Sequence, residues 1–209
     1  MNTEKLIEAL ASDRETEMPP NRMLLAALLA GFVGAGLLFF SLLGPRGNFL
    51  DSLSSWRFVM KFVVSLTLAL SAAILIARAM RPDARRLDTL LALAPLLLLG
   101  MVTAEVTNVP EAVWMPRLIG HNATACMVFI PLFSLAPLAA LLLALRRSAP
   151  MAPVWAGALA GLAAAGLGAA FYAAHCPDDS PLFVAVWYTL AVTIVTGLGA
   201  VAGKRLLAW

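Results

Sequence analysis

The sequence predicts an all-α, polytopic membrane protein, a bundle of six transmembrane helices with both termini on the cytoplasmic side. Three observations lead to this prediction. Of the 209 residues, 61% are hydrophobic and only 13% are charged, whereas soluble domains are about 45–50% apolar and about 25% charged. Six apolar stretches are each long enough to cross a hydrocarbon layer ~30 Å thick. The basic residues lie between these stretches with a strong bias to one side.

The predicted spans follow one another through short connections. Pro95 interrupts the third span, which is therefore the weakest of the six span predictions. Lys61 lies near one end of the second span, where a lysine side chain can extend to the membrane interface. Residues 1–22 are polar and lack the pattern of a cleavable signal peptide, so they are interpreted as a cytoplasmic tail before a membrane domain at 23–209. The spans cover residues 23–43, 58–76, 87–106, 123–145, 154–174 and 182–203.

The distribution of Lys and Arg predicts the orientation. Eleven of them fall in the tail, the second and fourth connections and the C-terminus. The other side holds four, which are Arg46, Arg57, Lys61 and Arg117. Because basic loops of bacterial membrane proteins stay in the cytoplasm, both termini are placed there. The chain is therefore predicted to be a multi-pass inner-membrane protein.

Small residues predict where helices approach closely. Gly157 and Gly161 form a G-x-x-x-G pair in the fifth span, and Gly199 and Gly203 form another in the sixth. In lipid, such positions let two helix backbones pack against each other. The two motifs therefore indicate contacts that hold the bundle together.

The chain's rare cysteines and histidines fall on one predicted side of the membrane. Two Cys and two His are present in the whole chain, and His121, Cys126, His175 and Cys176 all lie at the outer side in this topology. A thiol pair in an oxidising compartment can cycle between dithiol and disulfide. It can also react with oxidants or hold a soft metal ion transiently.

Residue spacing favours a switch of two thiols over a metal site with four ligands. His121 and Cys126 are five positions apart and point ~140° apart on a regular helix, whereas Asn122 and Cys126 share a face. Pro177 biases Cys176 toward an extended backbone, which suits a loop thiol that reaches a partner. The predicted sensing residues are therefore Cys126 and Cys176. The predicted accessory residues are His121, Asn122, His175, Asp178 and Asp179.

The two acidic accessory residues are most simply solvated loop residues. Asp178 and Asp179 follow Cys176 closely, and a negative charge near a thiol raises the pKa of that thiol. They are therefore expected to restrain its reactivity.

The tail carries a short acidic amphipathic pattern. Leu6, Ile7 and Leu10 form an apolar stripe at helical spacing, and Asp13 belongs to the acidic rim around it. Helices that lie on membranes are usually basic, whereas an apolar stripe with an acidic rim suits a groove on a basic protein. These four residues are the predicted contacts to a cytoplasmic protein partner. The sequence contains no extended basic patch of the kind that binds nucleic acid, so direct nucleic-acid binding is not predicted.

Several stretches resemble the NrsF-like proteins, negative regulators of the alternative sigma factor F. The similarity runs over nearly the whole chain, and its most specific part is the His-Cys-Pro-Asp-Asp-Ser-Pro-Leu-Phe run at 175–183. Further similarity lies at 6–13, 137–150 and 187–188.

The resemblance implies a membrane anti-sigma factor of Gram-negative bacteria. Its cytoplasmic part would bind an extracytoplasmic-function sigma factor, and Cys126 and Cys176 would sense oxidants or heavy metals in the periplasm. The tail lacks Cys and His, which excludes the zinc-controlled release of other anti-sigma families. No enzymatic activity, catalytic residue or cofactor is predicted.

Two other functions remain open on sequence. A small-solute transporter or channel usually places ionisable groups at mid-membrane. Here these groups lie near span ends, although Pro95, Pro131 and Pro137 could break helices around a site. A thiol–disulfide oxidoreductase could use Cys126 and Cys176, but the C-x-x-C motif of many such enzymes is absent.

Overall fold

A computed structural model describes residues 19–80 and 88–208, together with Thr3. Over this part of the chain the protein is helical and contains no strand. Six helices are long and apolar enough to cross a membrane, and two short ones lie in connections. They are α1 Pro20–Leu42, α2 Phe49–Ser52, α3 Trp56–Ala79, α4 Leu93–Asn108, α5 Trp114–Ile119, α6 Ala123–Ser148, α7 Pro153–Ala173 and α8 Pro181–Leu206.

The six predicted spans are confirmed as helices, and their insertion and orientation stay predictions. Pro95 does not interrupt the interior of the third helix. A 3₁₀ turn, Asp88–Ala92, leads into α4, and Pro95 is the third residue of the α-helix that follows. Proline is tolerated in a first helical turn because the backbone N–H groups there have no intrahelical acceptor.

Helix α7 is the centre of the bundle and packs against α3, α6 and α8. Gly157 and Gly161 of α7 face Gly199 and Gly203 of α8 so closely that an added Cβ at any of them would collide with the backbone opposite. The predicted role of both G-x-x-x-G motifs in helix contact is therefore confirmed. In contrast, α4 packs mainly against α3 and the start of α8 and is largely exposed.

Two apolar clusters divide the core along the bundle axis. One contains the start of α1 and the ends of α3, α6 and α8, including Leu24, Ile76, Leu145 and Leu207. The other contains the end of α1, the start of α6 and the end of α7, including Phe39. Because both cysteines belong to this second cluster, we call its side of the molecule the thiol end.

Large apolar side chains cover the outside of the long helices. Leu37, Phe40 and Leu70 are each more than 60% exposed, and contiguous surfaces of this kind are unfavourable in water. A cleft of about 530 Å³ opens between α4 and the neighbouring helices α3, α7 and α8. Its walls are apolar or carry hydroxyl groups, and among the described residues no acidic, basic or histidine side chain lines it.

Candidate thiol site

Cys126 and Cys176 reach the same buried cluster from different elements. Cys126 lies in the first turn of α6, and Cys176 follows the end of α7. Both are unbridged and have no exposed surface. They pack with Tyr172, Phe183 and Tyr188 in the core of the thiol end. The structure thus places the two predicted sensing residues together, although they are 50 positions apart in sequence.

The loop 174–180 covers this cluster, and its conformation differs from the expectation for Cys176. The sequence favours an extended backbone for a loop thiol that reaches a partner, whereas in the structure the loop folds back onto the bundle and the thiol is buried. Cys176 N–H donates to Tyr172 O at 3.0 Å, and Arg46 N–H donates to Ala174 O at 3.1 Å. The thiol therefore points into the core instead of toward a partner in solution.

Asp178 fixes the loop to the start of α6. Its Oδ2 accepts hydrogen bonds from the backbone N–H of His121 at 3.0 Å and from the backbone and side-chain nitrogens of Asn122, both at 2.9 Å. Partial burial raises the pKa of Asp178, but these hydrogen bonds outweigh it and hold the pKa below the usual value of 3.8. The expectation of a solvated carboxylate at 178 is therefore wrong.

Asp179 is held by two cations, Lys61 and Arg46. We call these three residues the Lys61 cluster. Lys61 Nζ lies 2.7 Å from Asp179 Oδ1, and both terminal nitrogens of Arg46 lie 3.1 Å from Oδ2. Lys61 has no exposed surface, and its Nζ also donates to Cys176 O at 2.9 Å. The predicted extension of Lys61 to the interface and the predicted solvation of Asp179 are both wrong.

A second buried acid, Glu105, lies at the same end and pairs with Arg57 and Arg117. We call these three residues the Glu105 cluster. Glu105 of α4 is fully buried and accepts from Arg57 Nε of α3 at 2.7 Å. Its other oxygen pairs with Arg117 of α5. The cluster ties the exposed helix α4 to its neighbours. The pairing removes the cost that an isolated buried carboxylate would carry.

The surroundings of Cys176 favour the protonated thiol. Burial raises the pKa of Cys176 above its ordinary value of 9.0. The positive charge of Lys61 opposes this effect without cancelling it. Asp178 raises the pKa further, as expected from the sequence. Because the thiolate is the reactive form, burial makes this thiol less reactive than an exposed cysteine.

Comparison with known proteins shows the family of the chain. The family model described as NrsF, "Negative regulator of sigma F", matches residues 10–209. The chain belongs to the NrsF family. It is 33% identical to "Anti-sigma-F factor NrsF" of Caulobacter vibrioides and 31% identical to "Probable anti-sigma-F factor NrsF" of Azospira oryzae, with 100% of each chain covered. No solved structure matches it.

The two histidines of this NrsF-family chain do not converge with the thiols. The side chain of His121 is 96% exposed, with Nδ1 3.7 Å from Asp178 Oδ1. His175 Nδ1 donates to Gly44 O at 2.9 Å. Within the described residues, no group of three or more His, Cys, Asp or Glu side chains could hold a metal ion. Transient metal binding by the thiols of Cys126 and Cys176 alone stays a prediction.

Sequence reasoning missed several residues of the site in this NrsF-family chain. The sequence pattern presents Lys61 and Arg46 as topology signals, and it gives no indication that Glu105 is a buried ion-pair partner. Tyr172 and Tyr188 also went unnoticed, because a tyrosine in an apolar run has no sequence signal that separates it from ordinary core. The predicted tail contacts Leu6, Ile7, Leu10 and Asp13 lie outside the described residues.

Proposed function

We propose that this chain is an anti-sigma factor of the bacterial inner membrane that binds an extracytoplasmic-function sigma factor and releases it under periplasmic oxidant or heavy-metal stress. The family description and the names of both relatives support the sigma-factor partner. The observation that carries the sensing step is the burial of Cys126 and Cys176 in one cluster. Two thiols in one cluster can react as a pair.

The sensing step is a reaction of both thiols. An oxidant accepts two electrons and two protons, and a disulfide forms between Cys126 and Cys176. A soft metal ion would instead displace the two protons and bridge the sulfurs. A disulfide needs Cβ atoms about 3.8 Å apart, so either reaction fixes the start of α6 relative to the loop after α7.

Helix packing offers a route from the thiol end to the opposite end. Helix α6 runs from Cys126 to the exposed residues Arg146 and Arg147, and α7 packs along both α6 and α8. Close-packed helices move as units because the interior has little free volume. A shift at the thiols would therefore change the surface near the tail, provided that two helix arrangements exist.

The tail is the proposed sigma-binding segment. Helix α1 begins at Pro20, and its first turns pack in the cluster opposite the thiol end. The predicted apolar stripe of Leu6, Ile7 and Leu10 and the acidic Asp13 therefore precede the helix end that lies farthest from Cys126. Sensing and binding are thus assigned to opposite membrane faces.

Serine substitutions test the sensing step. We expect Cys126→Ser and Cys176→Ser proteins to keep the sigma factor bound, because the tail is unchanged. Both should fail to release it, because neither a disulfide nor a two-thiolate metal complex can form. The measurement is expression of a sigma-dependent reporter before and after oxidant or cadmium exposure. Normal induction in both variants, at protein levels equal to the unmodified chain, would refute thiol sensing.

A further inference from the structure

The position of the 174–180 loop limits access to the thiols. Cys126 and Cys176 have no exposed surface, so a reagent dissolved in water cannot reach either sulfur while the loop stays closed. The loop lies between α7 and α8 and covers the cluster from the thiol end. The rate at which this loop opens therefore sets the rate at which stress chemicals meet the thiols.

Most of the polar contacts that close the loop involve the Lys61 cluster. Lys61 donates to the carbonyl oxygen of Cys176 at 2.9 Å and pairs with Asp179 at 2.7 Å. Arg46 binds the same carboxylate with two nitrogens and packs 4.2 Å over the Phe58 ring. Two cations, from α3 and from the connection after α1, thus converge on one loop residue.

The burial of Lys61 argues for a positioning role instead of a general contribution to stability. Replacing a buried ion pair by apolar residues of similar size is often neutral or stabilising. A fully buried lysine in a largely apolar helix is therefore a costly way to stabilise a bundle. An ion pair does fix one geometry strongly, because moving either partner alone leaves an uncompensated charge.

We propose that the Lys61 cluster is the latch of the thiol site: Lys61 and Arg46 hold Asp179, and so the 174–180 loop, closed over Cys126 and Cys176. The three latch residues are positioning residues that touch neither reagent nor product. They set the stress level at which the thiols react. This inference rests on the proposed function, because a latch over the thiols regulates a response only if the thiols sense.

The test measures alkylation of the resting thiols. The full-length protein in detergent is treated with N-ethylmaleimide, and modification of Cys126 and Cys176 is followed by mass spectrometry. We expect Asp179→Asn to accelerate alkylation of both by roughly tenfold or more, because the neutral amide leaves two buried cations without a counterion. Asp179→Glu keeps the charge and should restore much of the protection.

The pH profile separates an open loop from a change in thiol acidity. Removing a negative charge also lowers the pKa of nearby thiols. A lower pKa accelerates alkylation only at pH values where the thiol of the unmodified protein is still protonated. An open loop raises the plateau rate at high pH as well. The latch therefore predicts a higher plateau in Asp179→Asn, and a profile that only shifts along the pH axis would overturn it.

Glu105→Gln is the matched control. Glu105 is also a buried acid between two cations at the thiol end, and its ion pairs join α3, α4 and α5 without the 174–180 loop. We expect this variant to lose stability but to keep alkylation rates within about twofold of the unmodified protein, as for independent sites. Equal acceleration in both variants would mean general loosening and would overturn the latch.

A second variant covers failure of Asp179→Asn to fold. Arg46→Lys keeps the positive charge but cannot form the two-nitrogen contact with Asp179, so it should raise the alkylation rates to an intermediate level. Unchanged rates in this variant would contradict the latch. These rates need no sigma factor, so they can support the latch even if the serine variants disprove thiol sensing. If the alkylation rates support the latch, cells that carry Asp179→Asn should induce the sigma-dependent reporter at a lower oxidant dose than cells with the unmodified protein.

Discussion

Two acidic residues at the thiol end each pair with two cations. Asp179 pairs with Arg46 and Lys61, and Glu105 pairs with Arg57 and Arg117. The four cations are the same four that the sequence assigns to the outer side. Each cluster carries a formal charge of about +1, whereas its two cations alone would carry +2. The net positive charge on that side is therefore smaller than the count of Lys and Arg residues indicates.

Asp178 allows a prediction about pH at the residue scale. Its pKa is lowered in the folded protein from 3.8, so its contribution to stability is complete above that pH and is lost as the pH falls through the lower, folded value. We expect Asp178→Asn to destabilise the protein by about 1–2 kcal/mol at neutral pH, because hydrogen bonds to a charged acceptor weaken. Thermal unfolding in detergent from pH 7 to pH 3 measures this.

The difference between Asp178→Asn and the unmodified protein should shrink as the pH falls below about 3.8, because the carboxylate is protonated first in the unfolded chain and then, at its lowered pKa, in the folded protein. Asp51 is an exposed aspartate in α2, and Asp51→Asn is the control that should unfold like the unmodified protein at every pH. A gap between Asp178→Asn and the unmodified protein that stays constant to pH 3 would contradict the assigned role of the carboxylate.

At the scale of elements, the contact between α7 and α8 depends on the absence of side chains. A Cβ added at Gly161 would lie 2.7 Å from Thr196 Cα and 2.7 Å from Val195 O. Both are backbone atoms, so relief requires the two helices to separate. In contrast, a Cβ added at Gly197 of α8 meets nothing within 4 Å. Gly161 therefore cannot accept a larger residue without separating the helices, whereas Gly197 can.

We expect Gly161→Ala to destabilise the bundle by about 1–3 kcal/mol through overpacking. Gly197→Ala should be neutral or stabilising, because alanine is favoured over glycine in helices by up to about 1 kcal/mol. Thermal unfolding of both variants in the same detergent gives the comparison. If both variants melted together, the close approach of α7 and α8 would be wrong.

At the scale of the whole molecule, the cleft beside α4 bears on the transporter alternative. No acidic, basic or histidine side chain lines it, whereas ion and polar-solute pathways usually contain such groups. The buried ionisable residues Lys61 and Glu105 are instead neutralised by partners at the thiol end. The regulatory proposal therefore keeps the stronger support.

The tail assignment gives a prediction for the whole molecule. Detergent-solubilised protein should capture a sigma factor from a cell extract, and removal of residues 1–18, which keeps α1 intact, should abolish the capture. A chain with Leu6, Ile7 and Leu10 changed to Ser is the matched variant and should lose most binding, because the apolar stripe provides the contact. Undiminished capture by both altered chains would place the sigma-binding surface elsewhere.

Sequence patterns predicted the parts of the structure that depend on neighbouring residues. The six helices follow from runs of apolar residues, and the glycine contacts follow from spacing within one helix. The convergence of Cys126 and Cys176 followed from counting spans. The burial of Cys176 could not be predicted in this way, because it depends on contacts of Asp178 and Asp179 with residues more than 50 positions away. A single sequence does not record such partnerships.

The latch also has a consequence for how the protein is made. Arg46 and Asp179 are separated by 133 positions, so a chain inserted during synthesis carries Arg46 and Lys61 without a counterion until four more helices have been translated. Charges without partners in apolar segments are unfavourable in a bilayer. Chains that end before Asp179 therefore keep an uncompensated pair of cations at the thiol end, which only completion of the chain removes.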